Sequence, residues 1–150
     1  MTNQEFILDM IRSQGMADAL NLRSKAIDMD GTAIIAEERK IPNFDQAKDY
    51  TGWPVGSPVS DDGQVWLLLQ PYNAANHVGR PSELRALWGL AHTKDPAKAK
   101  AYVAPLGTSG LYMMDECCLW TDGKVYKSVI ENNAYDPAAY ADGWVEVVFD

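Results

Sequence analysis

Positive charge is scarce in this chain of 150 residues, where 13 Lys and Arg stand against 21 Asp and Glu for a formal net charge of −8. Affinity for phosphate backbones and anionic bilayers comes from Lys and Arg, so the balance argues against a nucleic-acid partner and against binding to an acidic lipid surface. A DNA mimic would need a long acidic run, and none occurs. Apolar runs stay far below the roughly 20 residues of a membrane span. The opening Met1-Thr2-Asn3-Gln4-Glu5 has no basic stretch ahead of an apolar core. Together these predict synthesis in the cytoplasm, without a signal peptide or membrane insertion.

Cysteine is limited to Cys117 and Cys118. Neighbours on a strand point to opposite faces, which disfavours a bond between them and excludes a disulfide framework. One buried and one partly exposed thiol are expected. Histidine is limited to His77 and His92, with no Cys or paired carboxylate at ligand spacing, so no metal site is predicted and both rings are expected at the surface or at caps. There is no Gly-x-Ser-x-Gly elbow, phosphate loop or Gly-x-Gly-x-x-Gly run, and Gly107-Thr108-Ser109-Gly110 lacks the Lys of a phosphate cradle. The adjacent acids Glu37-Glu38, Asp61-Asp62 and Asp115-Glu116 read as turn and helix-surface residues, because adjacency does not place two carboxylates across a cleft. Neither catalysis nor a cofactor is expected.

What the chain does have is apolar and aromatic mass: 47% hydrophobic residues, with five Trp and seven Tyr. That is enough for one compact domain or two small ones. Thr2 followed by Glu5 forms a capping box, and Phe6, Ile7, Met10 and Ile11 recur at helical spacing. A helix is predicted over 3–13, stopping at Gly15, then a second over 17–26 and a short third capped by Thr32 over 33–39. From Pro42 onward Gly, Pro, Asn and Asp punctuate short apolar runs, with strands at 65–69 and 125–130, a short helix over 83–91 and a helical turn over 95–100.

An internal repeat organises this second part. Asp62-Gly63-Gln64-Val65-Trp66 lies on Asp122-Gly123-Lys124-Val125-Tyr126, and in the same register Asn73-Ala74 lies on Asn133-Ala134. After four extra residues in the first copy, Pro81 aligns with Pro137 and Trp88 with Trp144. Each copy reads as a hairpin turned by Asp-Gly and closed by a Trp at the centre of a small core. The predicted fold is α+β: a helical leader over 1–41, a β-module over 42–92, a linker over 93–108 and a second β-module over 109–150, both modules small and antiparallel.

The second copy, from Tyr112-Met113-Met114-Asp115 through Asp122-Gly123-Lys124-Val125-Tyr126-Lys127 to Pro137 and Trp144-Val145-Glu146-Val147, resembles the carbohydrate-binding modules of families 5 and 12. The first, from Trp53-Pro54-Val55 through Trp66 to Trp88, looks like a diverged relative with a longer loop over 76–80. A helical leader followed by such modules is similar to small bacteriophage and prophage tail proteins. The resemblance implies a non-enzymatic attachment role in the virion, with a cell-surface or cell-wall polysaccharide and other tail proteins as partners.

Family members stack sugars on aromatic residues just after the Tyr-Lys strand, whereas this chain has Val129 and Ile130 there, and Leu69 and Gln70 in the first copy. Candidate platforms are instead Tyr135, Tyr140, Trp120 and Tyr72, with Asn132, Asn133 and Asp136 as hydrogen-bond partners for hydroxyls. Each ring taken singly serves packing as readily as binding. Two other roles stay open: a purely structural tail or baseplate component, and a small acidic inhibitor of a host defence protein. The apolar stripe of the leader, too large for its own core, predicts packing on the β part, a homo-oligomer or docking on a larger protein.

Overall fold

A computed structural model describes residues 2–149. Its architecture is α+β, two helices followed by two small sheets. Helix α1 spans Asn3–Lys25 and opens with the expected capping box, the Thr2 hydroxyl accepting from Glu5 N while the Glu5 carboxylate accepts from Thr2 N. It does not stop at Gly15. A mid-helix glycine costs about 1 kcal/mol relative to alanine, too little to break a helix flanked on both sides by good formers such as Met16, Ala17, Ala19 and Leu20. Helix α2 spans Gly31–Ala36, and its cap is Asp30, whose carboxylate accepts from Ala33 N. Thr32, expected to cap it, instead accepts from the backbone N–H of Lys94, tying the helical region to the chain beyond the first sheet.

The first sheet has the order β1 (Pro58–Asp61), β2 (Gln64–Leu68) and β3 (Trp88–Leu90), all antiparallel. The second has β4 (Lys100–Ala101), β5 (Cys117–Leu119), β6 (Val125–Ser128) and β7 (Trp144–Val147), with β4 parallel to β5 and the rest antiparallel. The second sheet is therefore mixed, and residues read as linker supply its edge. The helix expected over 83–91 is a series of turns followed by β3, because the ladder with β2 captures Trp88–Leu90.

The repeat is a structural one. Leu68 faces Trp88 across the first sheet and Ser128 faces Trp144 across the second, the equivalent pair, sixty residues on from β2 to β6 and fifty-six from Trp to Trp. The shared Asp-Gly does not make the same turn, however. Asp62 and Gly63 both have positive φ, +52° and +75°, and join strands paired at Asp61 and Gln64, the two-residue loop that matches strand twist. In the second copy only Gly123 of this pair is left-handed, and Trp120 N–H donates to the Lys124 carbonyl across a three-residue loop.

Three cores follow from this layout. Leu22, Ala26, Ile34, Ile35 and Ile41 of the helical region pack with Val65 and Ala91, so only the C-terminal half of α1 rests on the first sheet. Tyr50, Val59, Trp66, Leu68, Ala74 and Trp88 form the second core, and Tyr112, Cys118 and Trp144 the third. Tyr50 meets Trp88 edge-on at 5.4 Å and Tyr112 meets Trp144 at 5.2 Å, so each module is built around one Tyr–Trp pair. Trp88 and Trp144 are buried as expected. Burying an indole of roughly 200 Å² contributes on the order of 5 kcal/mol before entropy is subtracted.

Candidate functional site

The connection from β6 to β7 carries the most exposed aromatic pair of the second module. Tyr135 and Tyr140 are 57% and 41% exposed, with ring centroids 5.7 Å apart and planes inclined at 71°. Their backbone is fixed from below. Asn133 Oδ1 accepts from Tyr135 N–H at 3.2 Å, and the Tyr135 carbonyl accepts from the Trp144 indole at 2.9 Å. Asp136 Oδ1 accepts from the N–H groups of Ala138 and Ala139, and the Asp136 carbonyl accepts from Tyr140 N–H, which closes a tight turn under the second ring. The Tyr140 ring lies over Gly143, where a Cβ would come within 2.8 Å of Cδ2. Two amphipathic rings thus stand on a loop whose main chain has little freedom.

Asn132, three residues before Tyr135, is exposed in a left-handed conformation with φ +52°. Asp136 is half-buried, and it is its Oδ1 that the turn occupies. Asn133 is not a surface ligand. Its side chain is fully buried and donates to Ser128 Oγ at 3.0 Å and to the Gly143 carbonyl at 3.1 Å, which makes it the internal strut of the loop. Trp120 is half-buried and meets Tyr102 edge-on at 5.3 Å. Tyr72 is also half-buried: its hydroxyl accepts from the Trp88 indole at 2.8 Å and its ring joins the Tyr50 and Trp88 cluster. The first module therefore uses its Tyr inward.

Tyr102 escaped the sequence reading. Burial, then the nearby Asp136 carboxylate, push its phenol above the ordinary range. Its only sequence signal was the aromatic residue itself. Trp53, read only as the start of the first copy, carries the Arg23 guanidinium 3.9 Å from its ring centroid.

The groups considered for chemistry are occupied otherwise. Cys117 and Cys118 are both buried, not one of the two, and burial pushes their thiols up to about 11 and about 12. Such thiols are poor nucleophiles at neutral pH. His92 is buried rather than at the surface, stacked on Tyr112 at 3.7 Å with Nε2 3.1 Å from the Gly110 carbonyl, and desolvation lowers its pKa to about 4. Asp61 pairs with Arg80 through two hydrogen bonds, Glu37 pairs with Lys40 and Glu38 with Lys100. Among the described residues no group of three His, Cys, Asp or Glu is placed to hold a metal, and no helix is long and apolar enough to cross a membrane.

No protein-family model matches the chain, and no curated protein matches it.

Proposed function

We propose that this protein is a non-enzymatic carbohydrate-binding attachment protein of a phage or prophage tail, which contacts cell-surface or cell-wall glycan through the β6–β7 loop. The observation that carries the reading is the exposed Tyr135 and Tyr140 pair on a backbone fixed by Asn133, Asp136 and Trp144. Flat rings contribute CH–π contact to a pyranose, and a loop backbone fixed in advance loses little freedom on binding. Asn132 and the free side of Asp136 supply the polar contacts that orient hydroxyls. Ile130, half-buried, and Val129, exposed at the end of β6, extend the surface with aliphatic area but offer no stacking face.

The test is retention of the purified protein on chitin, cellulose and bacterial cell walls, with Tyr135→Ala and Tyr140→Ala alongside. Loss of one ring is expected to weaken binding roughly 3- to 10-fold, the equivalent of one aromatic contact, while thermal stability stays near that of the parent. Failure to bind any matrix, or equal binding by both variants, sinks the proposal. The alternative, a structural tail component without sugar binding, draws support from the uncovered apolar residues of α1, of which Phe6, Ile7, Met10 and Ile11 are each more than half exposed. Binding by neither parent nor variants would turn the assignment to that role.

A further inference from the structure

The face of α1 that rests on the first module continues beyond it with nothing on it. Leu8, Ile11, Gly15, Ala19 and Leu22 recur at steps of three and four residues and so line one side of the helix. Leu22 is 1% exposed, but Ile11 is 63% and Leu8 45% exposed, and a Cβ placed on Gly15 would meet no atom within 4 Å. Where the helix leaves the body, a cleft of about 610 Å³ opens between α1 and the segment 39–42. Its lining carries Arg12, Arg39 and Lys40 against a single carboxylate, Asp18. Lys40 is paired with Glu37, whereas Arg12 and Arg39 have no ion-pair partner among the described residues. The projecting turns, residues 3–11, have the opposite sign: Glu5, Asp9 and no cation.

We infer that two copies of this chain pair through antiparallel α1 helices, the acidic and apolar N-terminal turns of each seated in the basic cleft of the other. The two-fold axis passes near Ile11, and Leu8 fills the notch left open at Gly15 of the second copy. A symmetric pairing of this kind matches each surface to its complement, apolar stripe to apolar stripe and carboxylates to Arg39 and Arg12. It also accounts for a glycine in mid-helix, since close helix approach needs the missing side chain. A lipid surface fits less well, because the first nine helical residues offer no cation to anionic headgroups. The inference holds whatever ligand the β-modules take.

Light scattering and sedimentation velocity of the whole chain test it. The expected mass is that of a dimer, with Ile11→Asp and Gly15→Leu each weakening association at least tenfold while circular dichroism stays unchanged. Arg39→Glu and Glu5→Lys are each expected to weaken the dimer, and their combination in one chain to restore it. Orientation is read separately by cross-linking: Gln4→Cys mixed with Asp18→Cys forms an intermolecular disulfide, and Gln4→Cys alone does not. A monomer at high concentration, a trimer, or a self-linked Gln4→Cys pair each overturns the inference.

Discussion

Replacing Asn133 by alanine isolates the role of the buried amide under the candidate binding loop. The side chain makes three bonds, donating to Ser128 Oγ and the Gly143 carbonyl and accepting from Tyr135 N–H. Each net bond is worth about 0.5–1.5 kcal/mol, and a buried group left unpaired costs about 1–3. Ser128 Oγ keeps a partner, because it donates to the Ile130 carbonyl, and the Gly143 carbonyl still accepts from Val129 N–H, so the Tyr135 N–H is the group left without its bond. The sum is about 2–4 kcal/mol, which for a chain of this size lowers the melting temperature by roughly 5–12 °C. Asn73, at the matching repeat position, makes only one side-chain bond, to Ala75 N–H in an exposed turn, and Asn73→Ala is expected to cost at most about 1 kcal/mol. Urea titration followed by Trp fluorescence compares the two. Equal losses for the pair, or a loss below 1 kcal/mol at Asn133, would refute the assignment of Asn133 as the strut of the loop.

Stability is expected to fall with acid through His92. Its folded pKa of about 4 lies below the ordinary value of 6.5, so between those limits the unfolded chain binds the extra proton. The contribution is fully present above pH 6.5 and is lost progressively down to pH 4, on the order of 3 kcal/mol in total. Denaturation midpoints of His92→Phe measured across that window should show a flatter pH slope than the parent, and an unchanged slope would place the titration elsewhere. Gly31→Ala introduces a Cβ that collides with the His92 carbonyl oxygen where α2 meets the end of the first sheet. Overpacking at such a backbone contact costs about 1–3 kcal/mol, readable as a lower melting temperature, whereas Gly63→Asn should be nearly silent because nothing lies near that position and Asn tolerates left-handed backbone.

The fold class and the repeat were legible because both rest on local chemistry. Asp-Gly turns, Val-aromatic strand starts and the Trp seven residues after Pro appear in the sequence, and the β2 and β6 registers reproduce the alignment. The capping box at Thr2 and Glu5 was equally local. Two of the misread elements depend on distant partners: Thr32 left the capping role to Asp30 and bonded Lys94, and the 83–91 segment gave up helical spacing to pair with β2. Gly15 was misread for a local reason, its small cost among good helix formers. The site shows the same division. That Tyr135 and Tyr140 fall in a loop followed from their neighbours, but burial of Asn133 depends on Ser128 at the end of β6 and on Gly143 just before β7. Polarity alone carried no information about which Asn of the Asn132-Asn133 pair faces out.

Why the second module presents rings and the first does not follows from how each closing Trp satisfies its indole N–H. A buried indole N–H left without an acceptor, as that of Trp66 is, costs free energy, and both closing Trp residues find one. In the first module Trp88 donates to the Tyr72 hydroxyl, which draws the Tyr ring down into the aromatic cluster of Tyr50 and Trp88. In the second Trp144 donates to the main-chain carbonyl of Tyr135, so the same need is met by backbone and the Tyr135 side chain stays free to face solvent. The two copies keep the Trp and the strand pairing while differing in the acceptor. Substituting Tyr72→Phe tests the distinction: it leaves the Trp88 N–H without its partner and should destabilise the chain by about 1–3 kcal/mol, whereas Tyr135→Phe keeps the carbonyl that Trp144 uses and should leave stability unchanged. A comparable loss in both, by thermal denaturation, would show that the acceptor does not decide which ring is exposed.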